Sequence, residues 1–291
     1  MKYADLHVHT HYSDSTFSPE EVVACAKDRG LAAIAICDHD SVDGIDPCKE
    51  IGKELDVEII PSVELTVEKE EAEIHILGYF LDYKLEWLGK KLKSTRDYRV
   101  DRVHKIVEKL RKEGIKITAS DVFKLAGKGS VGRLHIAQAL IKSGEIKTYR
   151  EVFNKYIGFL KPCYVSNVRF TPKEAMDMVL KAGGVPVVAH PYTMGKHDYI
   201  PELVECGLRG IEVYHTDHRA SAVKRYEEMA KEYGLLMTGG SDCHGMGKGR
   251  VLLGGVRVPY TLVEKLKSES EKVRRDPSAR PASGGTCSGS W

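Results

Sequence analysis

Nine residues able to hold a cation stand where apolar, strand-like runs of this chain end: His7, His9, Asp14, His39, Glu64, His75, His190, Asp242 and His244. All are His, Asp or Glu, and imidazole plus carboxylate without paired thiolates suits Zn, Mn or Fe. His7 and His9 lie two apart in a strand-like segment, so both face the same way and can share one ion. Asp242 and His244 repeat that spacing near the other end of the chain. Glu64 has two carboxylate oxygens and can bridge two ions, which an imidazole with one lone pair cannot do. A single His at a strand end is ordinarily a packed or surface residue. Nine such groups at one rim would be costly without compensating charge, and cations supply it.

The elements that must carry these residues follow from hydrophobic period. In "YADLHVHT" the residues Ala4, Leu6 and Val8 alternate with Tyr3, Asp5, His7 and His9, a strand with one apolar and one polar face. "SPEEVVACAKDRG" has Ser18 as N-cap, Pro19 at the first helical position, Glu21 at the third and Gly30 as a stop. "LAAIAIC" (31–37) is a continuous apolar run, as in a strand buried on both faces, and it ends in "DHD". A second helix through "GIDPCKEIGKEL" leads to the strand "VEIIPSVELTV", with Glu64 near its end. Only "EKEEA" separates that strand from "EIHILGYF", so the two form a hairpin that sets Glu64 and His75 on one rim. Strands resume at "GGVPVVAHP", "GIEVYH" and "GLLMTGGSDCHG", with helices such as "AVKRYEEMAKEYG" between them. Seven strands, mostly separated by helices and polar at their ends, predict an α/β barrel or open sheet with its site at the C-terminal strand ends.

Residues 84–170 interrupt this rhythm with helical segments, which predicts an inserted helical subdomain between barrel portions 1–83 and 171–265. From Lys84 to Arg133 there are 15 Lys or Arg against 6 Asp or Glu, an excess of nine in a chain whose net charge is +2. That excess fits a solvated helix face and an anion-holding surface equally well. Within it, "GKGSVGRLHIAQAL" places glycines just before a helix, where backbone amides and Arg133 could cradle a phosphate. Residues 276–291, rich in Ser, Gly and Pro, are expected to be a disordered tail.

Composition excludes several classes. Hydrophobic content of 42% and charged content of 30% are those of a globular chain. The small net charge argues against a nucleic-acid coat or membrane-surface protein. No apolar run follows Lys2 and none reaches the length of a spanning helix. The seven cysteines form no CxxC pair. A soluble cytoplasmic protein with reduced thiols is the expectation, and without a heptad seam a monomer.

Together "DLHVHTHYSDSTFSPEEVV", "ICDHDSVDG", "PSVELT", "IHILGYF", "VVAHP" and "GGSDCHG" resemble the PHP family, named for its polymerase-associated and histidinol-phosphatase members, from Tyr3 to about Pro259. The insertion is most similar to the branch of stand-alone phosphoesterases that act on nucleotides and short RNA. The resemblance implies a distorted (β/α)7 barrel with two or three divalent ions. It implies one ion on His7, His9, Glu64 and Asp242, a second on Glu64, His75 and His190, and a third on Asp14, His39 and His244. An Asp in the third set, where some relatives have His, favours Mn, with Zn or Fe as alternatives. Cys37 stands where Thr is common in the branch, and Leu134 where Pro is often seen.

The expected reaction is hydrolysis of a nucleoside 3′,5′-bisphosphate, AMP or the 5′ end of a short RNA by metal-activated hydroxide. Lys128, Ser130, Arg133 and His135 are expected to bind substrate and Asp5 and Asp40 to orient ligand imidazoles; protonation of the leaving oxygen is unassigned, with His215, His218 and a metal-bound water as candidates. His11 is equally balanced between ligand and surface residue, and His104 and His197 read as ordinary helix or loop residues. The alternatives are a histidinol-phosphate phosphatase and a non-catalytic nucleotide- or metal-binding module.

Overall fold

A computed structural model of the 291-residue chain describes residues 1–70, 72–166, 170–195 and 199–275. The expected tail, 276–291, and His197 lie outside the described residues.

The alternating and apolar runs form β1 (Tyr3–Val8), β2 (Ala33–Ile36), β3 (Glu58–Lys69), β4 (Ala72–Tyr79), β5 (Val185–Val188), β6 (Gly210–His215) and β7 (Leu236–Gly240). An eighth strand, β8 (Val258–Pro259), pairs antiparallel with β1 and had no signal in the sequence, being two residues long. The sheet order is β7-β6-β5-β4-β3-β2-β1-β8. The other pairings are parallel except at β4, which runs against its neighbours β3 and β5. The sheet nearly closes: Val8 bridges Cys243 just beyond β7, and the His9 amide donates to the Cys243 carbonyl at 3.0 Å. This is the distorted α/β barrel expected.

Around it run α1 (Pro19–Asp28), α2 (Ile45–Leu55), α3 (Glu86–Lys112), α4 (Ala119–Ala126), α5 (Arg133–Lys142), α6 (Tyr149–Val152), α7 (Pro172–Lys181), α8 (Tyr199–Glu205), α9 (Ala220–Glu232) and α10 (Thr261–Arg275). Helix α1 starts with the capping box read from its sequence: Ser18 accepts from the Glu21 amide and Glu21 from that of Ser18. Valines and Ala26 of α1 pack with Ile45 and Cys48 of α2 on one flank of the sheet. Helices α7 to α9 cover the other flank, and Val263 and Leu266 of α10 pack on a third apolar cluster that includes Leu6 and Tyr79. Helices α3 to α6 enclose an apolar cluster of their own, with Val103, Ile106, Leu110, Val122, Ile136 and Leu140 at its centre.

The hairpin differs from expectation in length. Strand β3 runs on past Glu64 to Lys69, and β4 pairs with it from Ala72, so Glu64 sits mid-strand, opposite Leu77. The two strands therefore run on past Glu64 and meet residues of 84–170. Tyr164 donates to Glu68 at 2.5 Å, and Arg133 bonds Glu73.

Candidate metal centre

The barrel fold brings all nine predicted residues to one mouth. Short β1 ends between His7 and His9, β2 is extended by a bridge between His39 and Glu64, and the residue after β5 is Ala189, followed by His190. His7, His9, Asp14, Glu64, His190, Asp242 and His244 are buried; His39 and His75 are nearly so.

Glu64 is the hub. Its Oε1 lies 2.7 Å from His75 Nδ1 and 3.1 Å from His190 Nε2. Its Oε2 lies 3.4 Å from His7 Nε2, 3.3 Å from His9 Nε2 and 3.2 Å from His39 Nδ1. Asp242 Oδ1 lies 3.6 Å from His7 Nε2 and 3.2 Å from His9 Nε2. Asp14 faces His244 at 3.1 Å through one oxygen and His39 at 3.7 Å through the other. The donor atoms fall into four overlapping groups, each within 4.8 Å: His9, Asp14, His39, His244; His7, Glu64, His190; His7, His9, Asp242; and His39, Glu64, His75. The ring of His39, assigned by resemblance to one ion only, thus faces Asp14 and Glu64 through opposite nitrogens. Likewise His9 approaches the Asp14 set.

Six atoms at this centre are buried without a hydrogen-bond partner: His7 Nε2, His9 Nε2, Asp14 Oδ1, His39 Nδ1, Glu64 Oε2 and His215 Nε2. Each unsatisfied buried polar atom costs about 1–3 kcal/mol. Divalent cations held among them would satisfy them together, so the donor set fits the metals the family implies.

Strain gathers at the same place. Asp40, His190 and Asp242 have φ of 49°, 26° and 51°, left-handed values costly for residues with a side chain. His190 is held there from two sides: its amide donates to Glu212 at 2.7 Å, and its Nδ1 lies 2.8 Å from Thr193 Oγ1.

The electrostatics reflect burial working against close carboxylates. Burial disfavours a charged His7, yet Glu212, Glu64 and Asp242 together hold its pKa well above the usual value. His9 has burial and His244 against it and falls to about 4. Burial also opposes protonation of His75, but Glu64 and Glu73 lift it to about 9. Asp14 and Asp242, despite burial, stay well below the ordinary carboxylate range, Asp14 because of His244 and His39, Asp242 because of Lys248 and His244.

The orienting carboxylates are not those expected. Asp5 accepts from the amides of Ser241 and Gly254, both at 2.8 Å, so it ties β1 to the chain beyond β7 and touches no imidazole. Asp40 accepts from Arg99 at 2.6 Å. The residue that faces His7 Nδ1 is Glu212 of β6, at 3.1 Å. Its signal was legible: an acid between the apolar Ile211 and Val213 of the strand "GIEVYH". Asp38 was also missed. It accepts from Thr10 N–H at 2.8 Å, from Thr10 Oγ1 at 2.6 Å and from Ser13 Oγ at 2.6 Å, fixing the turn that carries Asp14.

Above the centre lies a cavity of about 760 Å³. Its walls include Arg99, Arg102, Arg133 and Lys248, of which the sequence had marked only Arg133. Arg102 is buried and its Nη2 has no hydrogen-bond partner, the nearest carboxylate oxygen being on Glu73 at 3.7 Å. Lys248 donates to Asp242 at 2.5 Å. Of the expected substrate binders, only Arg133 lines the cavity. Lys128 is exposed elsewhere, because Gly129 turns the loop against the backbone of residues 11–13, where a Cβ would come within 2.4 Å of the His11 carbonyl. Ser130 is buried there, its amide donating to Tyr12 at 2.9 Å. His135 accepts from the Gly132 amide at 3.1 Å and acts as a cap of α5. The loop's glycines thus serve close approach to the β1 exit rather than to a ligand. His215 lines the cavity; His218 does not, and its Nδ1 lies 2.8 Å from the Val213 carbonyl.

The chain is also similar to known proteins. The chain is 31% identical over 86% of its length to 90% of a 3′,5′-nucleoside bisphosphate phosphatase of Chromobacterium violaceum. It is 33% identical over 84% of its length to 90% of a 5′-3′ exoribonuclease of Haemophilus influenzae. Among solved structures, a candidate metal-dependent phosphoesterase of Bifidobacterium adolescentis superposes with a TM-score of 0.83 at 30% identity, over 91% of this chain and 96% of that one. The family model of the PHP domain matches residues 5–165, the stretch that holds six of the nine clustered residues, and this chain belongs to the PHP domain family.

Proposed function

We propose that this chain is a metal-dependent phosphoesterase that hydrolyses phosphate esters of nucleotides: a nucleoside 3′,5′-bisphosphate, AMP or the 5′ end of a short RNA. The observation that carries this reading is the set of buried, partnerless His and carboxylate atoms beneath a cavity whose other wall is cationic. The named relatives, a bisphosphate phosphatase and an exoribonuclease, support the substrate class.

Two or three divalent ions, Mn first and Zn or Fe after it, would be held by His7, His9, Glu64 and Asp242, by Glu64, His75 and His190, and by Asp14, His39, His244 and His9. Bound there, they supply positive charge against the phosphoryl oxygens and lower the pKa of water. The chain's own residues do the rest. Arg133 and Arg102 bind phosphoryl oxygens through guanidinium N–H groups. Glu212 orients His7 through Nδ1, and Thr193 orients His190. His215 carries the proton for the leaving oxygen at Nε2; burial disfavours that charge, but Asp242 and Glu212 raise its pKa above the usual value. The helices of 84–170 form a subdomain that closes one side of the mouth.

A monomer in the cytoplasm belongs to the same proposal. Supporting it, Cys25, Cys37, Cys48, Cys163 and Cys243 are free thiols, and no described helix is long and apolar enough to cross a membrane. Light scattering in solution checks the monomer.

The test is phosphate release with added Mn from AMP, adenosine 3′,5′-bisphosphate, a 5′-phosphorylated oligoribonucleotide and histidinol phosphate. Turnover of a nucleotide member, abolished by chelator, is the expected result. Turnover of histidinol phosphate alone, or of nothing, overturns it.

A further inference from the structure

The cavity is larger than a phosphate needs, and its walls differ in chemistry. One wall is the His and carboxylate centre. The next carries the guanidinium groups. The remaining wall is built by α6 and the turn after it, which contribute Tyr149, Arg150, Phe153 and Asn154. Tyr149 and Phe153 are the only Phe, Tyr or Trp residues lining the cavity among the described residues. Both are half-buried, while Asn154 is exposed.

The backbone there is unusual as well. Residues Phe153–Ile157 form a π-helical turn directly continuing α6. Such turns are rare and recur at functional sites, because the extra residue re-aims the side chains around it. Here Phe153 opens that turn, and Asn154 follows it on the cavity side. The Arg133 guanidinium stands 5.8 Å from the centre of the Phe153 ring, so the cationic wall and the aromatic wall adjoin. A ligand with a phosphate on Arg133 and a flat aromatic group attached by a few bonds would meet both.

We infer that this wall is a nucleobase subsite, in which Phe153 and Tyr149 offer ring surface to the base and the Asn154 amide, donor and acceptor at once, addresses its edge. The inference rests on the nucleotide reading above and adds which residues recognise the base. Stacking on an aromatic side chain contributes about 1–3 kcal/mol per base, roughly a 5- to 150-fold change in affinity.

Calorimetric titration of the protein with AMP and with ribose 5-phosphate, which differ by the base alone, is the test. The wild type is expected to bind AMP at least fivefold more tightly, and Phe153→Ala to bring that ratio close to one. Phe153 also packs on the apolar cluster of the insertion, so Phe153→Leu, which keeps most of the packing, is measured beside it, with thermal melting of each. Asn154→Leu is expected to change the order of affinities among AMP, GMP, CMP and UMP. A ratio near one in the wild type, or one unchanged in a folded Phe153→Leu protein, overturns the subsite. Comparing a 5′-phosphorylated oligoribonucleotide with the same strand lacking its first base tells a free nucleotide from an RNA terminus: the base-dependent difference appears in the oligomer only if the terminus occupies the subsite. Phosphate release followed in the same samples keeps the two readings apart, since base-dependent binding without turnover removes the enzyme and leaves the subsite.

Discussion

Glu212 touches His7 with one carboxylate oxygen and the His190 backbone with the other, so one buried side chain sets two members of the centre. Partners of this kind typically contribute 10- to 100-fold in metal affinity or activity. Glu212→Gln is therefore expected to raise the Mn concentration needed for half-maximal phosphate release by about 10- to 100-fold; an unshifted Mn titration would count against the role. Arg102 presents the opposite situation, a buried cation whose Nη2 lacks a partner. A charged hydrogen bond contributes about 1.5–3 kcal/mol, so Arg102→Met is expected to weaken nucleotide binding about tenfold or more in calorimetry. Asp38 gives a pH effect. Burial raises its pKa from 3.8 to about 7, above the unfolded value. The folded state then binds more protons than the unfolded one between those pH values, and this group's contribution to stability falls as pH rises through that window. In chelated protein the urea stability of Asp38→Asn relative to wild type is expected to rise over that window, and a flat difference would sink the assignment.

Elements hold these residues through a few backbone approaches that leave no room for a side chain. At the β1–β7 closure a Cβ on Gly240 would lie 2.3 Å from the His7 amide nitrogen and 2.4 Å from its Cβ. Gly240→Ala must push β1 away and His7 with it. Overpacking of this kind costs about 1–3 kcal/mol, and here it is expected to appear both as a lower melting temperature and as weaker Mn binding. A variant that melts lower yet titrates Mn normally would show that closure and ligand placement are separable. The β3–β4 hairpin acts at the same scale. By running past Glu64 it carries Glu73 up to Arg133, so the cavity's cationic wall is positioned by a strand as well as by the helices.

For the whole molecule, the centre is a stability cost until it is filled. Ions that bind the folded chain and not the unfolded one stabilise it by about 2.7 kcal/mol at a free concentration 100 times Kd. At roughly 2–4 °C per kcal/mol for a domain of this size, chelation is expected to lower the melting temperature by about 5–10 °C, and added Mn to restore it. Equal melting curves with and without chelator would mean that the buried His and carboxylate atoms are satisfied some other way.

Read alone, the sequence determined seven of the barrel's eight strands, the first helix and its cap, and the nine residues that gather at its mouth. Each of these rests on local physics: the period-two alternation around His7 and His9, the Ser18–Glu21 box, and polar residues where apolar runs stop. It also carried the family resemblance, through motifs that are contiguous in the chain. Tertiary structure alone decided what depends on residues far apart. Glu212 faces His7 across 205 positions, and Arg99 and Arg102 look like any residues of a polar helix until α3 is laid over the mouth. Only packing could show that the Gly129 loop docks on the β1 exit, which removes Lys128, Ser130 and His135 from the cavity. Local sequence fixes which face a side chain takes on its own strand or helix; which other face it meets is set by how those elements pack.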